Sequence, residues 1–90
     1  MPLPDYVEPY WPAIQKVAKK YELDPYVIAA MGDRETQWGT SPWCRPKGPE
    51  CLGDFGHGHG LMQIDDRSHS QFTNSEDWKD PEKNIGYACG

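Results

Sequence analysis

The feature that most limits this chain is the placement of its glycines and prolines. Nine of each make up a fifth of the 90 residues, and they cluster between Gly39 and Gly60. Such residues punctuate helices and strands, so the middle reads as loop and the two ends as helix. At this length a single domain fits and no more. It buries only about 60–65% of its unfolded surface, so few residues can form its core. Four Trp and five Tyr supply apolar area worth burying, which argues against disorder throughout.

Residues 1–8 are Pro-rich and read as an extended lead-in. Pro9 and Pro12 lack an N–H and belong in a first helical turn. A helix follows from about Pro12 to Tyr21, with Ile14, Val17, Ala18 and Tyr21 spaced i, i+3, i+4 and i+7 along one face. Asp24-Pro25 pairs an N-cap with a proline at the first helical position, predicting a second helix from Pro25 to about Trp38. Gly39-Thr40-Ser41-Pro42 then ends it. Asp80-Pro81 repeats that start, and Ile85, Ala88 and Cys89 begin an apolar face. Leu61-Met62-Gln63-Ile64-Asp65 is too short for a helix and reads as a strand or extended run. Alternation there sends Met62 and Ile64 into the core, opposite Leu61, Gln63 and Asp65. Gln63 and Asp65 are then left facing a cleft or solvent. A polar stretch follows from Asp66 to Glu76. The fold class is therefore mainly α, an α+β arrangement with a long Gly/Pro-rich loop and a short extended or β segment.

Net charge narrows the function. Fourteen acidic against nine basic side chains leave −5, the wrong sign for a nucleic-acid binder or for attraction to anionic membranes. The longest wholly apolar run, Tyr26 to Met31, is six residues, so no membrane insertion is expected, and no signal peptide is visible behind Met1. Three cysteines cannot all pair within one chain. Cys44 and Cys51 bracket a loop short enough to be closed by a disulfide in an oxidising compartment, which would leave Cys89 odd. Three free thiols in a reducing compartment are the alternative.

The chemistry is concentrated at the end of the second helix and after it. Ile28, Met31 and Glu35 share one helical stripe, which sets Glu35 at the end of an apolar face beside Trp38. A carboxyl in such a place loses hydration, and that disfavours its charged form. A carboxylic acid kept protonated is what glycoside hydrolysis needs to protonate a leaving oxygen. Pairing of Glu35 with Arg34 or a loop lysine is the plainer reading. Inverting glycosidases hold a water with a second carboxylate about 6.5–9.5 Å from the acid. Asp54, in a Gly-rich turn, and Asp65, at the end of the extended run, are the candidates, although a turn former and a helix cap are their ordinary roles. Gln63, on the face of Asp65, suits a hydrogen bond to a sugar amide or hydroxyl.

Together these residues resemble the goose-type lysozyme family and, more widely, soluble lytic transglycosylases. The resemblance is carried by Arg34-Glu35-Thr36 at a helix end, by Gly53-Asp54 with its glycine-punctuated loop, and by Gly60-Leu61-Met62-Gln63-Ile64-Asp65 with Arg67-Ser68-His69 after it. It runs from Asp24 to His69 and extends through Asn84-Ile85. It implies a lysozyme-like fold across residues 1–90, and a domain that continues past Gly90 into helices this chain lacks, in a further segment or a partner chain. It also implies cleavage of the β-1,4 bond between N-acetylmuramate and N-acetylglucosamine in peptidoglycan, or binding of chitooligosaccharide. Glu35 matches the general acid, and Asp54 and Asp65 match the aspartates that position water. Those aspartates favour hydrolysis over a transglycosylase reaction, in which the muramate 6-hydroxyl attacks. A non-catalytic glycan-binding fragment is the remaining reading. The implied place of action is extracellular, at the cell wall.

Trp43, in the Pro-rich loop, is expected to be exposed and, with Gln63, His59 and His69, to contact substrate. Two or more of Trp38, Trp78 and Tyr87 belong to the core. His69 reads as a hydrogen-bonded histidine rather than a base. His57-Gly58-His59 invites a metal, but the glycines leave the loop pliable and the Cys44–Cys51 spacing exceeds that of a zinc knuckle. No metal or other cofactor is expected.

Overall fold

Both Asp-Pro pairs open helices. In the computed structural model, which describes residues 3–90, α1 spans Trp11–Tyr21, α2 Pro25–Thr36, α3 Ser70–Thr73 and α4 Pro81–Cys89. Asp24 Oδ1 accepts the Tyr26 N–H at 2.9 Å, and Asp80 Oδ2 accepts the Lys83 N–H at 3.0 Å. Each bond satisfies a donor that the first helical turn leaves free, and the following proline has none to satisfy. The anticipated face of α1 buries Ile14, Val17 and Ala18, while Tyr21 at its end is partly exposed. α4 packs along α1 and brings Ile85 into the same core as Ile28, Trp38 and Leu61.

The extended lead-in is corrected: Asp5–Tyr10 forms a 3-10 helix. Residues 1 and 2 of that expectation lie outside the described residues. The proline φ near −65° suits a 3-10 turn as well as an extended one. Burial of Val7, whose N–H reaches Pro4 O at 3.0 Å, selects the turn. Tyr6 Oη donates to Asp33 Oδ1 and ties the segment to α2.

α2 stops at Thr36, two residues before the expected end, because Gln37 and Trp38 both turn left-handed, with φ of 47° and 51°. That turn swings the Trp38 indole beneath the helix, where Nε1–H donates to Ala29 O at 2.9 Å. Gly32, unusual in a helix interior, makes the room. A Cβ there would lie 2.3 Å from the indole ring.

The middle of the chain is loop and a small antiparallel sheet ordered β1 (Leu52–Gly53), β2 (Gly58–His59), β3 (Ile64–Asp65). Gly53 pairs with Gly58, which also pairs with Asp65. Only the last two residues of the expected extended run are strand. Gln63 takes φ 53°, which breaks the alternation, so Leu61 is buried together with Met62 and Ile64. Cys44 and Cys51 are joined by a disulfide, and Cys89 is free. The polar stretch after Asp66 folds into α3, and the 3-10 turn Asp77–Lys79 beyond it buries Trp78. The mainly helical class with a short β segment thus holds. Among the described residues no helix is long and apolar enough to cross a membrane.

Candidate active site

Glu35, on the last turn of α2, looks across an open cleft of about 350 Å³ at Asp54 and Asp65, with Trp43, Gly58 and Gln63 completing the lining. Three chain regions far apart in sequence meet here. α2 presents Glu35, the turn after β1 presents Asp54, and the end of β3 presents Asp65.

The glycines of the sheet hollow this cleft. A Cβ on Gly53 would lie 2.3 Å from Gln63 Oε1 and 2.5 Å from the Trp43 ring, and one on Gly58 would lie 2.3 Å from the same Gln63 oxygen. Gln63 therefore rests over two bare backbones, with its Nε2–H donated to Gly60 O at 2.9 Å. Its left-handed backbone turns it there, a conformation rare for a side chain of this kind. Trp43 is 47% exposed at the rim, whereas Trp38 and Trp78 are buried.

Asp54 sits in a turn where three successive residues, Asp54, Phe55 and Gly56, have positive φ. Asp tolerates this region and Gly favours it. Arg67 links the two aspartates. Its Nη2–H donates to Asp54 Oδ2 at 2.5 Å and to Asp65 Oδ2 at 2.7 Å, while its Nε–H and backbone N–H donate to Asp65 Oδ1 at 3.0 and 2.8 Å. Hydrogen bonds from Arg67, helped by its charge, hold the Asp65 carboxyl down at about 2.

The burial anticipated for Glu35 is corrected: the residue is exposed. The buried stripe of α2 is Ile28, Ala29, Gly32 and Thr36 rather than Ile28, Met31 and Glu35. Trp38 packs under Gly32 and so draws that side of the helix inward. Glu35 instead stands on a ridge between the polar cleft and a second hollow of about 320 Å³. Met31, Met62, Ile64, His69, Tyr87 and Ala88 line the second hollow with it.

His69 reaches Glu35 only through this second hollow, and its Nδ1 lies 2.8 Å from Tyr87 Oη. His59 is not brought to either. Alternation in β2 gives Gly58 to the cleft and turns the His59 ring edge-on to Trp78, at 4.7 Å between centroids, with Nδ1 3.0 Å from His57 O. His57 pairs with Asp66 at 2.8 Å. No group of three or more His, Cys, Asp or Glu placed to hold a metal occurs among the described residues. Reading the sequence missed Arg67 as part of the site. Its position two residues after Asp65 was a usable signal for that bond, but its reach to Asp54 depends on the fold.

Helices thus frame a short glycine-lined sheet, with three carboxyls lining one cleft. The sequence model of the family described as Lysozyme g matches residues 4–85, and the chain belongs to that family. A Lysozyme g from Casuarius casuarius is 41% identical over 61 residues, covering 68% of this chain and 30% of the relative. One from Cyprinus carpio is 44% identical over 63 residues, covering 70% and 31%. One from Dromaius novaehollandiae is 41% identical over 64 residues, covering 68% and 27%. The chain thus spans less than a third of the length of these relatives.

Proposed function

We propose that this chain carries the acid and water-binding face of a muramidase acting on the β-1,4 bond between N-acetylmuramate and N-acetylglucosamine in peptidoglycan. The observation that supports this most directly is the convergence of Glu35, Asp54 and Asp65 on one cleft. In this reading Glu35 gives its proton to the glycosidic oxygen as the bond to the anomeric carbon breaks. A water held by the aspartates attacks that carbon and releases its own proton to a carboxylate. The sum is one water consumed and two sugar ends formed, with the protons redistributed among the carboxyls and solvent between turnovers. Gln63 binds an amide or hydroxyl of the sugar, and Trp43 offers a ring face at the rim. A glycan lying in the cleft displaces water from around Glu35 and sets its glycosidic oxygen within reach of that carboxyl. Such a substrate places the work at the cell wall.

Mass spectrometry of purified peptidoglycan, after incubation with the parent chain and with Glu35→Gln, tests this. Muropeptides carrying added water, released only by the parent, are the expected result. Anhydromuramate ends would make the reaction a transglycosylase one. The exposure of Glu35, in a chain under a third of its relatives' length, favours a second reading: a glycan-binding face that turns over only with further chain around it. Saturable chitooligosaccharide binding without any Glu35-dependent product is its signature.

A further inference from the structure

The two cleft aspartates are unequal. Asp65 is the more heavily bonded: Oδ1 accepts two N–H bonds from Arg67, and Oδ2 accepts a third. Asp54 accepts one, at Oδ2, and its Oδ1 accepts none among the described residues. A carboxylate oxygen already accepting charge-assisted bonds is a poor acceptor for a further proton, whereas a free one can take it. Both carboxylates hang on a single guanidinium, and its planar fork can bridge two oxygens at once where an ammonium acts as a point charge.

Resting on the muramidase reading above, we propose that Arg67 is a positioning residue that divides the aspartates' roles. It locks Asp65 as a fixed counter-ion and holds Asp54 by one oxygen, leaving the other Asp54 oxygen to bind the attacking water and take its proton. The surrounding charges fit this division. The His57–Asp66 pair lies nearby, where His57 adds to the pull of Arg67 on Asp65, and Glu35 faces both aspartates across the cleft. Asp65 is accordingly a poor base, with its carboxyl held at about 2.

The test is a carbon-13 NMR titration of the aspartate carboxyls in the full 90-residue chain, as parent, Arg67→Gln and Arg67→Lys, beside muropeptide release by the same proteins and by Asp54→Asn and Asp65→Asn. Arg67→Gln is expected to move the Asp65 midpoint from about 2 up toward the ordinary aspartate value of about 4. Arg67→Lys, which keeps the charge without the fork, gives an intermediate midpoint and serves if the Gln variant fails to fold. Asp54→Asn is expected to lower kcat by about 100-fold or more. Arg67→Gln and Asp65→Asn should each cost about 10-fold, and the double variant little beyond either, as for two residues acting through one link. An Asp65 midpoint unmoved by either Arg67 variant overturns the proposal. So does an Asp65→Asn loss as large as that of Asp54→Asn. If the parent releases no Glu35-dependent product, the muramidase reading fails for this chain, and the titration alone decides the clamp.

Discussion

The side-chain oxygen of Asn84 accepts the backbone N–H of Met62 at 2.9 Å, joining α4 to the segment that carries Gln63 and Asp65 across 22 residues of sequence. Asn84 is buried in the helix, and its Nδ2 donates onward to Trp78 O at 3.0 Å and His59 O at 3.2 Å. One amide thereby bonds three backbone groups from three separate segments. Asn84→Ala removes all three bonds from a buried site. We expect a loss of about 2–3 kcal/mol in urea unfolding, with the largest amide shifts at Met62 and Gln63 rather than in α1.

Gly32→Ala tests the seating of Trp38. Exposed helix interiors gain up to about 1 kcal/mol from this change. Here the added methyl meets the indole at 2.3 Å, and the ring is held by its bond to Ala29 and by stacking on Tyr10 at 5.5 Å. Overpacking of about 1–3 kcal/mol outweighs the helical gain. The checks are a lower thermal midpoint and a shifted tryptophan emission.

Phe55 has φ 56° and a fully exposed side chain. A left-handed backbone costs a non-glycine residue about 1–2 kcal/mol, and Phe55 buries nothing to offset it. Phe55→Gly removes this cost but adds chain entropy in the unfolded state. The expected outcome is a net gain of up to about 1 kcal/mol in chemical denaturation.

The Cys44–Cys51 disulfide closes a loop with a sequence separation of 7. Loop-closure entropy for so short a ring predicts a contribution of about 2–3 kcal/mol. Cys44→Ala with Cys51→Ala should lower stability by this order and loosen the loop that holds Trp43. Hydrogen exchange at residues 43–51 would report the loosening.

Acid should erase the contribution of Arg67 to stability. The Asp65 carboxyl is lowered in the folded chain to about 2 from a reference of 3.8, so its pairing stabilises fully above the reference value and is lost as pH falls through about 2. Parent and Arg67→Gln should therefore differ in thermal midpoint above pH of about 4 and converge at about 2. Melting curves across that range decide it. A gap independent of pH would assign the effect to packing instead.

Much of the frame was legible because its signals are local. The Asp24-Pro25 and Asp80-Pro81 starts depend on one capping oxygen and one missing N–H, and each works within a single turn. The helix–loop–helix outline followed from Gly and Pro placement, and Ile14, Val17 and Ala18 from a 3.6-residue period. The family resemblance rested on residue order in the same way, and the match over residues 4–85 agrees with it.

Tertiary structure decided what lies beyond one turn or one strand. The end of α2 at Thr36 depends on where the Trp38 indole can be buried, and that same packing leaves Glu35 exposed on its ridge. Leu61 joined the core because Gln63 turns left-handed over Gly53 and Gly58, into the space those glycines vacate, and His59 left the cleft because β2 pairing gives that face to Gly58. Arg67 reaches Asp54 only because β1 and β3 both pair with β2. Caps and periods are short-range properties of the chain, and the sequence by itself determined them. Contacts between segments that meet only after folding were settled by burial and shape.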